Sequence, residues 1–255
     1  MMKMELVVVT VIVLVLGTLL LAASRGLGAR PQEAARHEPH GGQEKAEPPH
    51  HPEGEHHRHG EEGVHHDFSD VERWAAIFEG DDRDSWQKPE EVVQIMGLAP
   101  GMTVADLGAG SGYFLPYLSK AVGPAGKVLA LDPEAEFIPF MAGRAKEHGW
   151  TNVEARQIPF DNPGLDDGSV DRILIVNTWH HIDHRGAYAA KLGRTLKAGG
   201  AVYVIDFSRE SPFGPSVESR LPPEEVLEEL RDGGFSPELL ETDLTWQYVI
   251  VARKP

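Results

Sequence analysis

The chain has 255 residues, with 40 Asp or Glu against 24 Lys or Arg, 13 His and no Cys, and a formal charge of −16. That balance argues against a nucleic-acid backbone as partner, because phosphate binding draws on clustered Lys and Arg. Without cysteine there is no disulfide, no Cys-ligated zinc or iron–sulfur centre and no lipidated N-terminal Cys. The redox compartment cannot be read from thiols.

Leu6 to Ala23 is an uncharged apolar run of 18 residues between Lys3 and Arg25, as a helix enough to cross about 27 Å of hydrocarbon. Residues 1–24 are therefore read as a transmembrane anchor or a secretory signal, since Ala22-Ala23-Ser24 has the small residues of a cleavage site. The run exceeds the roughly 7–15 apolar residues of a cleaved signal, which favours a single uncleaved span and a membrane-associated protein. Its orientation stays open: Lys3 and the N-terminal amine oppose Arg25, Arg30 and Arg36.

Residues 25–68 are rich in Pro, Gly, Glu and His and poor in aliphatic side chains, so they bury too little surface to offset their ordering entropy and read as a disordered linker. Nine of the 13 histidines fall between His37 and His66, several in pairs such as His50-His51 and His65-His66. Clustered imidazoles bind divalent metal weakly when unordered, and a solvated tether is the simpler reading. No metal ligand is assigned in the remainder of the chain.

Residues 69–255 carry globular patterning. Helical spacing over Asp70–Phe78 and a Pro-initiated segment from Lys88 to Met96 predict two helices before the first strand. Strands and helices then alternate. Strands are expected at Thr103–Asp106, Lys127–Asp132, Val153–Ile158, Asp171–Val176 and Ala201–Asp206, with helices near Tyr113–Val122, Glu134–His148, Arg185–Leu196 and Pro222–Gly233. Two closing strands near Leu239–Asp243 and Trp246–Ala252 are joined by a connection short enough for antiparallel pairing. The pattern predicts an α/β fold: a Rossmann-like, doubly wound, seven-stranded sheet, mostly parallel with an antiparallel last strand.

The segment Asp106-Leu107-Gly108-Ala109-Gly110-Ser111-Gly112 runs from an apolar strand through a glycine turn into a helix. Such a turn lets backbone approach a ligand closely and presents helix N–H groups to it, so a nucleotide-like cofactor is expected. A dinucleotide fingerprint needs its third glycine at position 113, where this chain has Tyr113, which argues against NAD. Asp132 ends the next strand 26 residues after Asp106, and a carboxylate there can accept two adjacent hydroxyls.

Val104 to Gly112, followed by Ala130-Leu131-Asp132, resembles the class I S-adenosylmethionine-dependent methyltransferases, over about Trp74 to Arg253. The resemblance implies S-adenosylmethionine as cofactor. It implies that Gly108, Gly110 and Gly112 pack against the methionine part of the donor, that Asp106 lies beside its amino group, and that Asp132 bonds both ribose hydroxyls. In the segment Gln157-Ile158-Pro159-Phe160-Asp161 the family's acid falls near Pro159; Phe160 then packs on the adenine with Asp161 replacing the acid, or the loop is structural. The segment Val176-Asn177-Thr178-Trp179-His180-His181-Ile182-Asp183 resembles the family's segment at the end of the fourth strand, bordering donor and acceptor. Asn177 is assigned to the cofactor there, and His180 or His181 is the candidate general base for a hydroxyl or amine acceptor. Trp86 either walls the pocket or packs in the scaffold. The function implied is methyl transfer to a small-molecule acceptor. The alternative is a membrane-tethered metal-binding protein whose His-rich linker is functional and whose domain is catalytically silent.

Overall fold

A computed structural model describes residues 68–80 and 82–255. The anchor or signal and nearly all of the His-rich tether lie outside the described residues. Among those described, no helix is long and apolar enough to cross a membrane.

Three helices precede the sheet: α1 (Val71–Phe78), α2 (Arg83–Gln87) and α3 (Pro89–Ile95). Asp70 starts α1 by accepting a bond from the Arg73 N–H, and Pro89 opens α3 where a missing N–H costs nothing. Then follow β1 (Thr103–Leu107), α4 (Leu115–Val122), β2 (Lys127–Asp132), α5 (Phe137–Glu147), β3 (Val153–Gln157) and β4 (Val170–Val176). After these come α6 (Arg185–Thr195), β5 (Leu196–Phe207), α7 (Pro223–Asp232), β6 (Ser236–Leu240) and β7 (Gln247–Arg253). The sheet order is β3-β2-β1-β4-β5-β7-β6. Strands β1 to β5 pair in parallel, and β7 runs antiparallel to both β5 and β6.

Alternate residues of the central strands feed two apolar layers, as the two-residue period of a strand requires. Ala105, Leu129, Ile173 and Val202 face the layer that holds Leu192 of α6 and Leu230 of α7. Val104, Ala130, Leu174 and Tyr203 face the layer that holds Val92 of α3, Leu118 of α4 and Met141 of α5. Burial on both sides explains why the strands read as nearly continuous apolar runs. Order reverses between β1 and β4, so β1 and β2 carry their connections on one side of that crevice and β4 on the other. Ligands of open α/β sheets bind there, beyond the carboxyl ends of the strands.

Phe68, placed by composition in the linker, belongs to the domain's aromatic packing: its ring lies 5.0 Å from Trp74 and 5.3 Å from Phe137. Phe68 therefore packs with the domain and not as part of a solvated linker.

Candidate active site

Strand β1 delivers Asp106 and then turns. The N–H groups of Gly108 and Ala109 both donate to the Leu131 carbonyl, at 2.8 and 3.1 Å, pinning the turn to the end of β2. Gly108 has φ of +73°, and a Cβ there would sit 2.3 Å from the Thr178 side chain. Glycine at 108 is what allows the first turn to close against the segment after β4. A Cβ on Gly112 would instead meet Leu115 at 2.6 Å and Met141 at 3.2 Å, so that glycine serves packing against α4 and α5. At Gly110 a Cβ would approach only Phe78, at 3.4 Å. Its substitution would therefore press on the aromatic wall in addition to straining a φ of +53°.

Asp132 closes β2 with its carboxylate fixed from two directions. Its Oδ2 accepts the Gly110 N–H at 2.8 Å and its Oδ1 accepts the Glu134 N–H at 3.0 Å. Each oxygen keeps a further lone pair for a ligand hydroxyl. Burial lifts the Asp132 carboxyl to about 6, against the pull of those two N–H groups. Burial likewise lifts Asp106 to about 7, opposed by the Arg83 guanidinium and reinforced by Asp132.

These groups face a cavity of about 380 Å³. Its walls come from the glycine turn, the ends of β2 and β4, the segment Ile158–Asp161 after β3, and Phe78 and Arg83 before the sheet. The Arg83 guanidinium stacks on the Tyr113 ring, 3.9 Å from its centroid, and donates to the Phe78 carbonyl and to Gln87. Desolvation lowers Arg83 to about 10, and its buried Nε has no partner among the described residues. A cation so placed stabilises negative charge on Asp106 and keeps its Nε–H without an acceptor among the described residues.

After β4 the backbone enters a short 3₁₀ turn, Trp179–His181. Trp179 is fully buried and anchors that turn by donating from Nε1 to Glu229 of α7, at 2.9 Å. His180 points its Nδ1 at the Asp206 carboxylate, 2.9 Å away, with both side chains almost wholly buried. Because a carboxylate only accepts, Nδ1 carries the proton and Nε2 is the basic nitrogen of the neutral ring. The rings of His180 and His181 lie 4.1 Å apart. His181 lines the cavity; His180 stands behind it and does not.

The fold thus brings Asp106, Gly108, Gly110, Asp132, Phe160, Asn177 and His181 to one cavity. Gly112 and His180 are absent from its wall. Trp86 is absent too, being stacked on Phe213 at 4.8 Å and set against Phe207 at 6.1 Å, which makes it a packing aromatic. Thr178 and Asp183, both in the polar segment after β4, line the cavity as well, and Arg83 and Tyr188 line it without having been singled out in the sequence. For Arg83 the only local cue was a lone cation in the acidic stretch Asp81–Asp84.

Asp106 and Asp132 make the stability of the ligand-free chain fall as pH rises. Both carboxyls titrate higher in the folded chain than the ordinary carboxylate value near 4. Between about pH 4 and 7 the folded chain therefore holds protons that the unfolded chain has lost, and raising pH favours unfolding. The urea midpoint of the ligand-free chain should be higher at pH 5 than at pH 8, and replacing both acids by Asn should flatten that difference.

A glycine turn, a buried acid one residue before the end of β1 and a second ending β2 around one cavity define a nucleoside-cofactor domain of the doubly wound class. Comparison with known proteins narrows this. A family model described as a methyltransferase domain matches residues 104–200. The solved structure of an S-adenosylmethionine-dependent methyltransferase from Aquifex aeolicus superposes with a TM-score of 0.69 and 30% identity, covering 75% of this chain and all of that one. A demethylmenaquinone methyltransferase of Lactococcus lactis is 29% identical over 145 residues, 55% of each chain. A ubiquinone/menaquinone biosynthesis C-methyltransferase of Hahella chejuensis is 28% identical over 122 residues, 48% of each. The chain therefore belongs to the S-adenosylmethionine-dependent methyltransferases, with S-adenosylmethionine as its cofactor. It spans about half the length of the curated relatives it matches.

Proposed function

We propose that this chain transfers the methyl group of S-adenosylmethionine to a small-molecule acceptor. One observation carries the reading: the Asp132 carboxylate is held by two backbone N–H groups in the wall of the same cavity as Asp106 and the glycine turn. Asp132 would accept the two ribose hydroxyls, Asp106 the amino group of the methionine part, and the exposed Phe160 would cover the base. The cofactor supplies a methyl group already activated on a sulfonium. The chain then has to hold donor and nucleophile in line and exclude water, and positioning supplies most of the rate. His181, at the cavity wall, would take the proton of a hydroxyl or amine acceptor. The names of the relatives from Lactococcus lactis and Hahella chejuensis support a small organic acceptor.

Asp132→Ala tests the reading. Removing hydrogen bonds between a carboxylate and ligand hydroxyls should weaken donor binding by about 1.5–3 kcal/mol, read by calorimetry on a chain that remains folded. Unchanged affinity would refute the ribose assignment.

Residues 1–24 would tether the domain to a membrane through the 18-residue run Leu6–Ala23. The full chain should sediment with membranes and resist extraction by salt, whereas a chain beginning at Phe68 should stay in the supernatant and bind the donor equally well. Recovery of the uncleaved full chain in the supernatant would refute the anchor.

A further inference from the structure

Asn177 ends a line of side-chain hydrogen bonds that starts at the Arg83 guanidinium and passes through the buried amides of Gln87 and Gln247. The Arg83 guanidinium has no acceptor, so its 3.3 Å contact with Gln87 has a single polarity: Arg83 donates and Gln87 Oε1 accepts. Gln87 Nε2 is left to donate to Gln247 Oε1 at 2.6 Å, and Gln247 Nε2 to donate to Asn177 Oδ1 at 2.6 Å. A lone amide can turn over and exchange its oxygen for its nitrogen. Here, reversing any member sets donor against donor or acceptor against acceptor. Gln87 is 0% and Gln247 4% exposed, so water cannot repair such a mismatch. The order along the line is therefore fixed from its cationic end.

The consequence falls on the cavity. Asn177 lines it, and with Oδ1 committed to Gln247 the group left over is Nδ2, which has no partner among the described residues. Its backbone is held at φ of +53°, a conformation that non-glycine residues adopt sparsely. The Asn177 N–H donates to the Ile205 carbonyl at 2.8 Å, locking that backbone to β5. With Oδ1 held by Gln247 and the backbone held by Ile205, the N–H₂ group is what Asn177, a residue of the cavity wall, has left for a ligand.

We propose that Asn177 is a donor-only contact for a ligand oxygen, its polarity imposed by Arg83 through Gln87 and Gln247. The oxygen is a carboxylate, carbonyl, phenolate or enolate. An amine presenting N–H at this point would meet N–H and be disfavoured. The proposal rests on the cavity being the donor and acceptor site, and the oxygen comes from either ligand.

Two variants reverse the polarity without removing volume. Asn177→Asp places an acceptor where Nδ2 stood. Gln247→Glu accepts from Gln87 and from Asn177 alike, so Asn177 turns its Oδ1 to the cavity. Binding of S-adenosylhomocysteine is measured by calorimetry on the full chain. Turnover with methyl-labelled donor is measured over phenols and enolisable dicarbonyls, paired with the anilines and enamines of the same shape. If the oxygen belongs to the donor, both variants bind S-adenosylhomocysteine roughly tenfold or more weakly. If it belongs to the acceptor, S-adenosylhomocysteine binding changes by less than about threefold and the ratio of oxygen-bearing to amine turnover falls roughly tenfold or more. A merely structural role would lower both kinds of turnover together and leave the ratio fixed. If Gln247→Glu does not fold, Asn177→Asp gives the answer alone. Folded variants that change neither S-adenosylhomocysteine affinity nor the turnover ratio overturn the proposal, as does a parent chain that prefers amines while both variants keep the parent's S-adenosylhomocysteine affinity. Failure of the parent to bind S-adenosylhomocysteine at all overturns the reading of the cavity, a distinct outcome that removes the proposal with it.

Discussion

Replacing His181 by alanine should lower turnover roughly 10²–10⁴-fold while donor affinity stays close to that of the parent, the range expected when a positioned general base is lost. The expectation attaches to His181 because it is at the cavity wall, whereas His180 lies behind it with its Nδ1 committed to Asp206. Loss of His180 should act more weakly, by letting the 3₁₀ turn and the neighbouring ring shift, and Asp206→Asn should reproduce it. Single-turnover kinetics with labelled donor and an identified acceptor separate the two histidines. Equal rates for the parent and His181→Ala would leave positioning as the whole of catalysis.

Gly108→Val should reduce donor affinity at least a hundredfold, about 2.7 kcal/mol by the affinity scale. At φ of +73° a β-branched side chain is strained, and its Cβ would stand 2.3 Å from Thr178. Relief requires the turn or the segment after β4 to move, and Asp106, Asn177 and His181 all lie on those two pieces. Gly110→Val should do less to the wall geometry, since its Cβ meets only the edge of Phe78 at 3.4 Å. Calorimetry on both variants, with circular dichroism to show that each is folded, checks the order. Donor bound as tightly by Gly108→Val as by the parent would mean that the turn is not the cofactor cradle.

The central strands were legible because both faces of β1, β2 and β4 are buried, leaving apolar runs broken by glycine and proline. Their carboxyl ends gave Asp106, Asp132 and Asn177, since the acid or amide follows directly on the apolar run. Strand β5 begins at Leu196, five residues before the expected Ala201, because Lys197 to Gly200 form an excursion within the strand. Val170 pairs with Leu196 and Arg172 with Ala201, and Gly199 takes φ of +74°. Lys197-Ala198-Gly199-Gly200 carries the signature of a turn, and only pairing with β4 makes it part of a strand. The edge strand β6 lies at Ser236–Leu240 rather than Leu239–Asp243, with Pro237 tolerated at the sheet margin.

Helix α2 was missed for a different reason. Its 5 residues are too few to show a period, and Asp82 makes no side-chain cap. It is held by tertiary contacts: Arg83 on Tyr113, Trp86 on Phe213 and Gln87 on Gln247, a partner 160 residues away in sequence. No local pattern encodes that an arginine among acids turns inward to face Asp106. The same holds for the line of amides that orients Asn177, which exists only once β4, β7 and α2 are packed.

A crystal structure of the chain with S-adenosylhomocysteine decides whether this cavity is the cofactor site. Both ribose hydroxyls should lie on the Asp132 carboxylate, the amino group of the homocysteine part beside Asp106, and the sulfur toward the cavity wall that carries Asn177 and His181. A product molecule bound elsewhere on the folded chain, or lying in the cavity with its ribose turned from Asp132, would contradict that placement.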